Sequence, residues 1–483
     1  MTICTPFARF PSTGGMRVHL LIVVIWMWCL SCSDSFADAA MPRQITTAAH
    51  GHILTNAAVW SADGRWLVYD TRSGVDGSVF DGRRIERVEV ATGRVELLYE
   101  STHGACCGVV TASPVDDRVV FLHGPENPTE DWSYAAFHRR GVVVQASVPG
   151  VATTLDARDL VTPYTPGALR GGSHVHLFSS DGKLVHFTYE DALLAAADHA
   201  HAQATAKNLR GIGVSVCGSP VPVPARHPRN HSGSAMSVLV TTLTDTPSPD
   251  SDEISRACEE AWVGTDGYDR GDGFRQRYAL AFQGTVTTAD GKEITEVFIV
   301  DLPENPALLT EPGQLPLCGT PSTRPAPPRS VSQRRLTFTH HRATPGLAGP
   351  RHWLRSSNDG SRIAFLMTDD AGVVQLFTVS PLGGEPTQIT RDEWHVASAF
   401  SWSPDGTHLA YIADGSVMTV DVQSGVSSRL TEAVHGVSSP RPEACVFSPD
   451  GSQIAYVRTM PDVTTAGSPA NAHNQIFVVD IIN

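Results

Sequence analysis

The stretch FSWSPDGTHLAYIA, residues 400–413, holds an apolar segment, a Pro-Asp-Gly turn and a second apolar segment. Asp-Gly tolerates the positive φ that a tight turn needs, and alternating apolar residues on both sides are typical of β-strands. Further copies run along the chain: AVWSADGRWLVYD (58–70), VVTASPVDDRVVFLH, which lacks the Gly (109–123), HLFSSDGKLVHFTY (176–189), LRSSNDGSRIAFLM (354–367) and CVFSPDGSQIAYVR (445–458). Since one hairpin cannot bury its own faces, this repeat predicts a β-propeller.

The spacing of the turn aspartates predicts the number of blades. Asp359, Asp405 and Asp450 lie 46 and 45 residues apart, which suits one four-stranded blade of about 40 to 50 residues. The interval from Asp181 to Asp359 spans 178 residues, and strand-like segments within it supply another blade. We therefore predict an all-β fold with a single seven-bladed propeller, and six blades are the alternative.

The two ends of the sequence are each expected to contribute a strand to the same blade. The C-terminal NQIFVVDIIN, residues 474–483, resembles a third strand with no fourth strand after it. RQIT, which starts at Arg43, matches the blade-ending phrases TQIT from Thr387 and SRLT from Ser428. We predict that this N-terminal strand completes the last blade and removes the two open edges.

Three insertions are predicted within the propeller domain, residues 41–483: at about 190–212, 245–277 and 303–333. ALLAAADHAHAQATAKNLR, which starts at Ala192, has the composition of a short surface helix. In the second insertion Asp250 is the expected N-cap of another short helix, because Glu253 follows three residues later. The third insertion is rich in proline and is expected to be extended.

Residues 1–40 have the pattern of a secretory signal peptide. Arg9 and Arg17 precede an apolar run of about fifteen residues, and Ala37-Asp38-Ala39 is a small-x-small cleavage site. Because a membrane span needs about 20 apolar residues, we expect a periplasmic or exported protein without a membrane span after cleavage. Cys32 offers a lipoprotein alternative, and translation from Met41 would give a cytoplasmic protein.

The charge balance limits the classes of partner. A net charge of −14 argues against nucleic acid, because phosphate binding depends on lysine and arginine. We expect a soluble monomer whose partner is an envelope protein or a glycan.

The repeats resemble those of TolB-type propellers, a WD-like repeat family that also forms the propeller of prolyl oligopeptidases. HGPENP from His123, GGSHVHLFS from Gly171, SDEISRACEEAWVG from Ser251 and HHRATPGLAGPRHW from His340 resemble a bacterial TolB-like family of unknown function. The resemblance implies a propeller and no established activity. The wider superfamily resembles oligogalacturonate lyases, whose propellers bind a metal through histidines.

Histidines are concentrated between the blades, where connecting loops lead to the central channel. His174 and His176 alternate on one predicted strand, which would place both imidazoles on one face. The candidate binding residues at the channel mouth are His103, Arg170, His174, His176, His340, His341, Arg351 and His352. Of these, His174, His176, His340 and His341 could hold a divalent metal ion.

Two functions are compatible with the sequence. The first is a non-catalytic scaffold of the cell envelope that binds a protein or glycan partner. The second is a metal-dependent lyase or hydrolase of acidic oligosaccharides, in which Arg139, Arg140, Arg170 or Arg351 would pair with sugar carboxylates. The sequence has no Walker loop, HExxH or GxSxG motif. We favour the scaffold, because no complete catalytic set is visible and a fold alone does not define a function.

Overall fold

The computed structural model describes residues 41–74, 79–200, 206–461 and 472–481. These residues form eight antiparallel sheets, of which seven are arranged as the blades of a β-propeller and one is a small two-stranded hairpin. The predicted all-β, seven-bladed fold is therefore confirmed. The predicted signal peptide, residues 1–40, lies outside the described residues.

The strands are numbered in chain order. The first four blades and the strand that precedes them are β1 (Arg43–Gln44); β2 (Trp66–Asp70), β3 (Arg84–Glu89) and β4 (Val95–Glu100); β5 (Cys107–Ala112), β6 (Arg118–His123), β7 (Arg140–Gln145) and β8 (Ala152–Thr154); β9 (Gly171–Phe178), β10 (Leu184–Asp191), β11 (Gly211–Val221) and β12 (Gly233–Leu239); β13 (Arg256–Trp262), β16 (Tyr278–Thr287), β17 (Glu293–Leu302) and β18 (Ser332–Arg335), with the inserted hairpin β14 (Tyr268–Asp269) and β15 (Arg275–Gln276). Blades five to seven are β19 (Arg355–Ser356), β20 (Ile363–Thr368), β21 (Val374–Val379) and β22 (Thr387–Gln388); β23 (Ser401–Trp402), β24 (His408–Ala413), β25 (Ser416–Asp421) and β26 (Ser427–Arg429); β27 (Pro440–Phe447), β28 (Gln453–Pro461) and β29 (Ala472–Asp480).

The repeated turn is held by its own side chains. In blade six Ser403 donates to Asp405 over 2.6 Å, and the Thr407 N–H donates to the same carboxylate oxygen over 3.0 Å. The His408 N–H donates to the Ser403 hydroxyl over 2.9 Å, and Gly406 has a φ of 72°. The hydrogen bond from Ser403 lowers the pKa of Asp405 to about 2. The Ser-x-Asp-Gly phrase is therefore a complete turn, which explains why it recurs.

Tryptophans link neighbouring blades at a recurrent position near the end of the innermost segment. Each indole N–H donates to a carbonyl oxygen of the preceding blade's innermost strand: Trp60 to Val446 over 3.1 Å, Trp262 to Leu177 over 3.2 Å and Trp402 to Arg355 over 3.0 Å. Large aromatic side chains thus fill the space between blades and satisfy their polar atom in the same contact.

The N-terminal strand closes the ring as predicted. Strand β1 pairs antiparallel with β29, with Arg43 opposite Val478. Beyond the strand, the Thr46 hydroxyl donates to Gln475 Oε1 over 2.7 Å and accepts from the Ile476 N–H over 2.9 Å. Blade seven therefore takes its outer strand from the start of the chain.

The helix predicted around Asp250 is wrong. Asp250 has a φ of 58° and donates its N–H to the Thr287 carbonyl. The following residues form β13, the innermost strand of blade four. Glu259 and Glu260 favour a helix in isolation, but both are buried between blades, where tertiary packing outweighs intrinsic propensity.

The other two insertions contain short helices. Helix α1 (Ala192–His199) confirms the surface helix, and Asp191 caps it by accepting the N–H groups of Leu193 and Leu194. Three 3₁₀ turns lie at Ala136–His138, Pro306–Thr310 and Gly436–Ser438, the second of them in the proline-rich stretch. Among the described helices, all are too short or too polar to cross a membrane.

The closing contacts predict a large cost for N-terminal truncation. Deletion through His50 removes β1 and the buried Ile45, and should lower the free energy of unfolding by at least about 3 kcal/mol, whereas deletion through Ala40 should not. Thr46→Val should cost about 1 to 3 kcal/mol, because the Ile476 N–H loses its acceptor. Thr47→Val, at an exposed position, is the control. Urea unfolding measures all four, and equal midpoints for the two truncations would refute closure by β1.

Candidate functional site

One end of the central channel carries a pocket of about 480 Å³. Its walls come from five blades, represented by Asn56, Val109, His174, Trp353 and Glu443. Each of these residues lies in the first half of an innermost strand or in the segment just before one. Since the innermost strands of a propeller surround one axis, their starts meet at one mouth of the channel. We call this cavity the mouth pocket.

Backbone strain recurs in the inner segments of the first four blades. Ala58, Val109, Val175 and Glu259 have φ angles of 51°, 56°, 54° and 54°. Residues with a Cβ, and β-branched valine above all, rarely adopt this conformation. Such strain is concentrated at functional sites. Two of the four residues, Val109 and Val175, line the mouth pocket.

The strain at Val175 changes the expected positions of the paired histidines. Strict alternation would place His174 and His176 on one face, but the register of β9 against β10 shifts next to His174. His174 lines the mouth pocket. His176 is fully buried, and its Nε2 lies 2.9 Å from the Ser173 hydroxyl. The bulge therefore gives the two imidazoles different surroundings.

The remaining candidate histidines have separate environments. His340 and His341 are exposed on the loop between β18 and β19, and His103 is exposed between β4 and β5. His352 is buried: its Nδ1 donates to the Pro350 carbonyl over 2.9 Å, and its Nε2 accepts the Leu366 N–H over 3.2 Å. Both ring nitrogens of His352 thus have backbone partners.

The residues present do not fit the metal site proposed from sequence. All four proposed ligands, His174, His176, His340 and His341, are described. Within the described residues, no group of three His, Cys, Asp or Glu side chains is arranged to hold a metal ion. The four-histidine site is therefore not assembled, because its members lie in a pocket wall, a blade interface and an exposed loop.

The two candidate arginines differ in their roles. Arg170 is buried, donates to Asp191 over 3.0 Å and also bonds the carbonyls of Thr320 and Thr323. It therefore attaches the proline-rich insertion to blade three. Arg351 lines the mouth pocket, where its Nε lies 2.6 Å from Glu259 and its guanidinium lies 4.3 Å from the Trp353 ring centre.

Arg139 has the least compensated charge in the pocket wall. Arg72 pairs with Asp70 at 2.7 Å, but no carboxylate of the described residues lies within ion-pair distance of Arg139. Its guanidinium lies 4.8 Å from the Tyr134 ring centre and 5.8 Å from that of Phe80. Burial lowers the pKa of Arg139. Arg139 is therefore a half-buried cation packed on aromatic faces, and an anion in the pocket would pair with it.

Several other polar atoms of the pocket wall lack a partner among the described residues. These are the Tyr134 hydroxyl, Arg139 Nε, His174 Nδ1, Trp353 Nε1 and Glu443 Oε2. Burial, with Arg139 and Arg351 nearby, holds the pKa of His174 well below its usual value, so the imidazole is neutral. Burial also raises the pKa of Glu443. Native proteins rarely leave buried polar atoms unpaired, and here five converge on one cavity.

Sequence reasoning identified part of this site. It placed His174 and Arg351 at the channel mouth and named Arg139 as a partner for a carboxylate. It missed Phe80, Tyr134, Trp353 and Glu443. Trp353 and Glu443 lie just before or within an innermost strand, whereas Phe80 lies in the loop between β2 and β3 and Tyr134 in the loop between β6 and β7, so the repeated phrase contains no signal for them.

Comparison of the sequence with known proteins places this chain in a family. A family model described as a protein of unknown function (DUF3748) matches residues 106–231, which include Tyr134, Arg139 and His174. The "Uncharacterized protein YidR" of Escherichia coli K12 is 48% identical over 423 residues, or 87% of this chain and 96% of that protein. The chain belongs to the YidR family.

Solved structures support the propeller fold. An oligogalacturonate lyase in complex with manganese has a TM-score of 0.51 at 12% identity, covering 92% of this chain and 95% of that one. An oligogalacturonate lyase from Vibrio parahaemolyticus has the same TM-score at 10% identity, with 93% and 95% covered. At such identities the likeness to the lyases extends to the fold alone.

Buried neutral histidines predict acid sensitivity. Burial lowers the pKa of seven of them: His52 and His176 to about 3, His123, His138 and His352 to about 4, and His174 and His231 well below the usual value. Unfolding returns each pKa to about 6.5, so the unfolded chain binds more protons at acidic pH. The free energy of unfolding should therefore be highest above pH 6.5 and fall as the pH drops toward 4, by up to about 1.4 kcal/mol per unit per histidine.

Urea unfolding at pH 7.5, 6 and 5 measures this slope. His352→Gln should reduce it by about one proton, and His341→Gln, at an exposed position, is the matched control. Stability that does not change between pH 7.5 and 5 would contradict the assignment.

Proposed function

We propose that this protein is a non-catalytic propeller scaffold of the bacterial envelope, which binds an acidic glycan in the mouth pocket. The observation that carries the proposal is Arg139, a half-buried cation in the pocket wall with no carboxylate within ion-pair distance among the described residues. A planar guanidinium pairs with a carboxylate through two parallel hydrogen bonds, and a carboxylate is the ligand group that we propose.

The rest of the wall suits a sugar. Phe80, Tyr134 and Trp353 line the pocket and give it aromatic surface beside the arginines. The unpaired atoms of Tyr134, His174, Trp353 and Glu443 include donors and acceptors, as a ligand with several hydroxyls requires. A volume of about 480 Å³ lies within the range of small-ligand sites. A uronic acid unit combines these features.

The non-catalytic part of the proposal rests on the chemistry of the candidate residues. The histidines offered as metal ligands do not form a group of three metal-binding side chains within the described residues. The likeness to oligogalacturonate lyases is at 10–12% identity and brings no residue roles to this chain. Ligand binding therefore explains the pocket without requiring a metal ion or a further catalytic group.

Binding should depend on the charge of Arg139. Galacturonate should bind and galactose should not, because galactose lacks the carboxylate. Arg139→Gln should weaken galacturonate binding about 10- to 100-fold, the effect of losing a hydrogen bond to a charged group. Titration calorimetry measures all of these affinities.

The neighbouring arginine provides the control. Arg140 pairs with Glu126 at 2.9 Å, so Arg140→Gln should leave galacturonate binding unchanged. Equal binding of galactose and galacturonate, or of the wild-type and Arg139→Gln proteins, would refute recognition of a carboxylate. Absence of binding to both sugars would refute the proposed function.

Envelope location is a proposal that rests on the N-terminal pattern. When the protein is expressed from its first codon, the mature chain should begin near Ala40 and fractionate with the periplasm. N-terminal sequencing and mass spectrometry test this. An intact cytosolic protein that starts at Met41 would overturn export, and a lipid-modified Cys32 would establish the lipoprotein alternative.

A further inference from the structure

The floor of the mouth pocket is crossed by a bond between blades that are not neighbours. Arg355 of blade five donates to the backbone carbonyl of Asn56 in blade one over 3.2 Å, and also to the side-chain oxygen of Asn56. Asn56 lines the pocket, and Arg355 is buried. Glu260, the acidic group that acts on Arg355, is also fully buried. The channel is therefore filled at this level.

A filled channel restricts how a polymer can bind. A chain cannot pass through the ring, so a unit that occupies the mouth pocket must either end there or leave through the side. The position of the remaining units of the polymer then depends on which cavity borders the mouth pocket.

A second cavity of about 310 Å³ adjoins the mouth pocket between blades four and five. Pro350 and Arg351 line both cavities. The second cavity, which we call the side pocket, also includes Arg256, and no carboxylate of the described residues lies within ion-pair distance of this side chain. Arg351 thus stands on the border, with Arg139 on one side and Arg256 on the other.

Resting on the proposed function, we infer that the protein recognises the end of an acidic oligosaccharide. The terminal unit occupies the mouth pocket with its carboxylate on Arg139, and the next acidic unit lies in the side pocket with its carboxylate on Arg256. Arg139 and Arg256 lie in adjoining cavities on either side of Arg351, and neither has a carboxylate within ion-pair distance among the described residues, so the two cavities suit two consecutive charged units.

The second subsite is tested with galacturonate, digalacturonate and trigalacturonate in titration calorimetry. The wild-type protein should bind the dimer at least about tenfold more tightly than the monomer, as one additional charged hydrogen bond allows. Arg256→Gln should remove this gain and leave monomer affinity unchanged. Arg362 is an exposed arginine in the turn between β19 and β20, at the end of β19 away from the channel mouth. Arg362→Gln is therefore the control and should retain the gain.

Chain-end recognition is tested by length. When affinity is expressed per sugar unit, polygalacturonate of about 30 units should bind about tenfold more weakly than trigalacturonate, because each chain offers one end. Equal affinity per unit would show internal binding and overturn this inference. Equal affinity of monomer and dimer would overturn the second subsite. Both results leave the proposed function intact, whereas failure of galacturonate itself to bind the wild-type protein refutes the proposed function.

Discussion

The pairing of β1 with β29 is the constraint on which the rest of the structure depends. A propeller with an unpaired strand at its last blade would leave one sheet edge open and the first and last blades free to separate. Trp60 of blade one donates to Val446 of blade seven, so the same junction also has an interior contact. The mouth pocket includes residues of both blades, Asn56 and Glu443. Its shape therefore depends on a strand far from it in the sequence.

Within the closed ring, the inner strands combine two kinds of strain. Positive φ angles at Val109 and Val175 change the direction of the strand at the channel mouth, and the pocket wall holds buried polar atoms without partners. Both features cost stability. The surrounding blades meet this cost with apolar packing and with turns whose aspartates, such as Asp405, are hydrogen-bonded by their own serines. Strain is therefore concentrated in the part of the molecule where a ligand would enter.

The fold was predictable because its determinants are local and repeated. The turn phrase around Asp405 contains its own hydrogen-bond donors and its glycine, so a short window of sequence is enough to recognise it. Closure by Arg43–Gln44 was predictable for the same reason, since its phrase copies those that end other blades. Strand β13 was missed because Glu259 and Glu260 are buried by contacts with distant residues, such as Arg351 and His186. No local pattern contains those contacts.

The site was less predictable because it depends on which blades face each other across the axis. His174 and His176 look equivalent in sequence, and one bulge at Val175 separates their surroundings. The net charge of −14 likewise suggests a surface that repels anions, yet charge is not distributed evenly. Arg139 and Arg256 lie in adjoining cavities without carboxylate partners among the described residues. In an acidic protein, cations without a paired carboxylate focus the local electrostatic field at a cavity. Repulsion from distant acidic groups is screened over about 10 Å at moderate salt, whereas buried charges are screened much less. The proposed attraction of an acidic ligand to the channel mouth therefore rests on these two local charges rather than on the net charge of the protein.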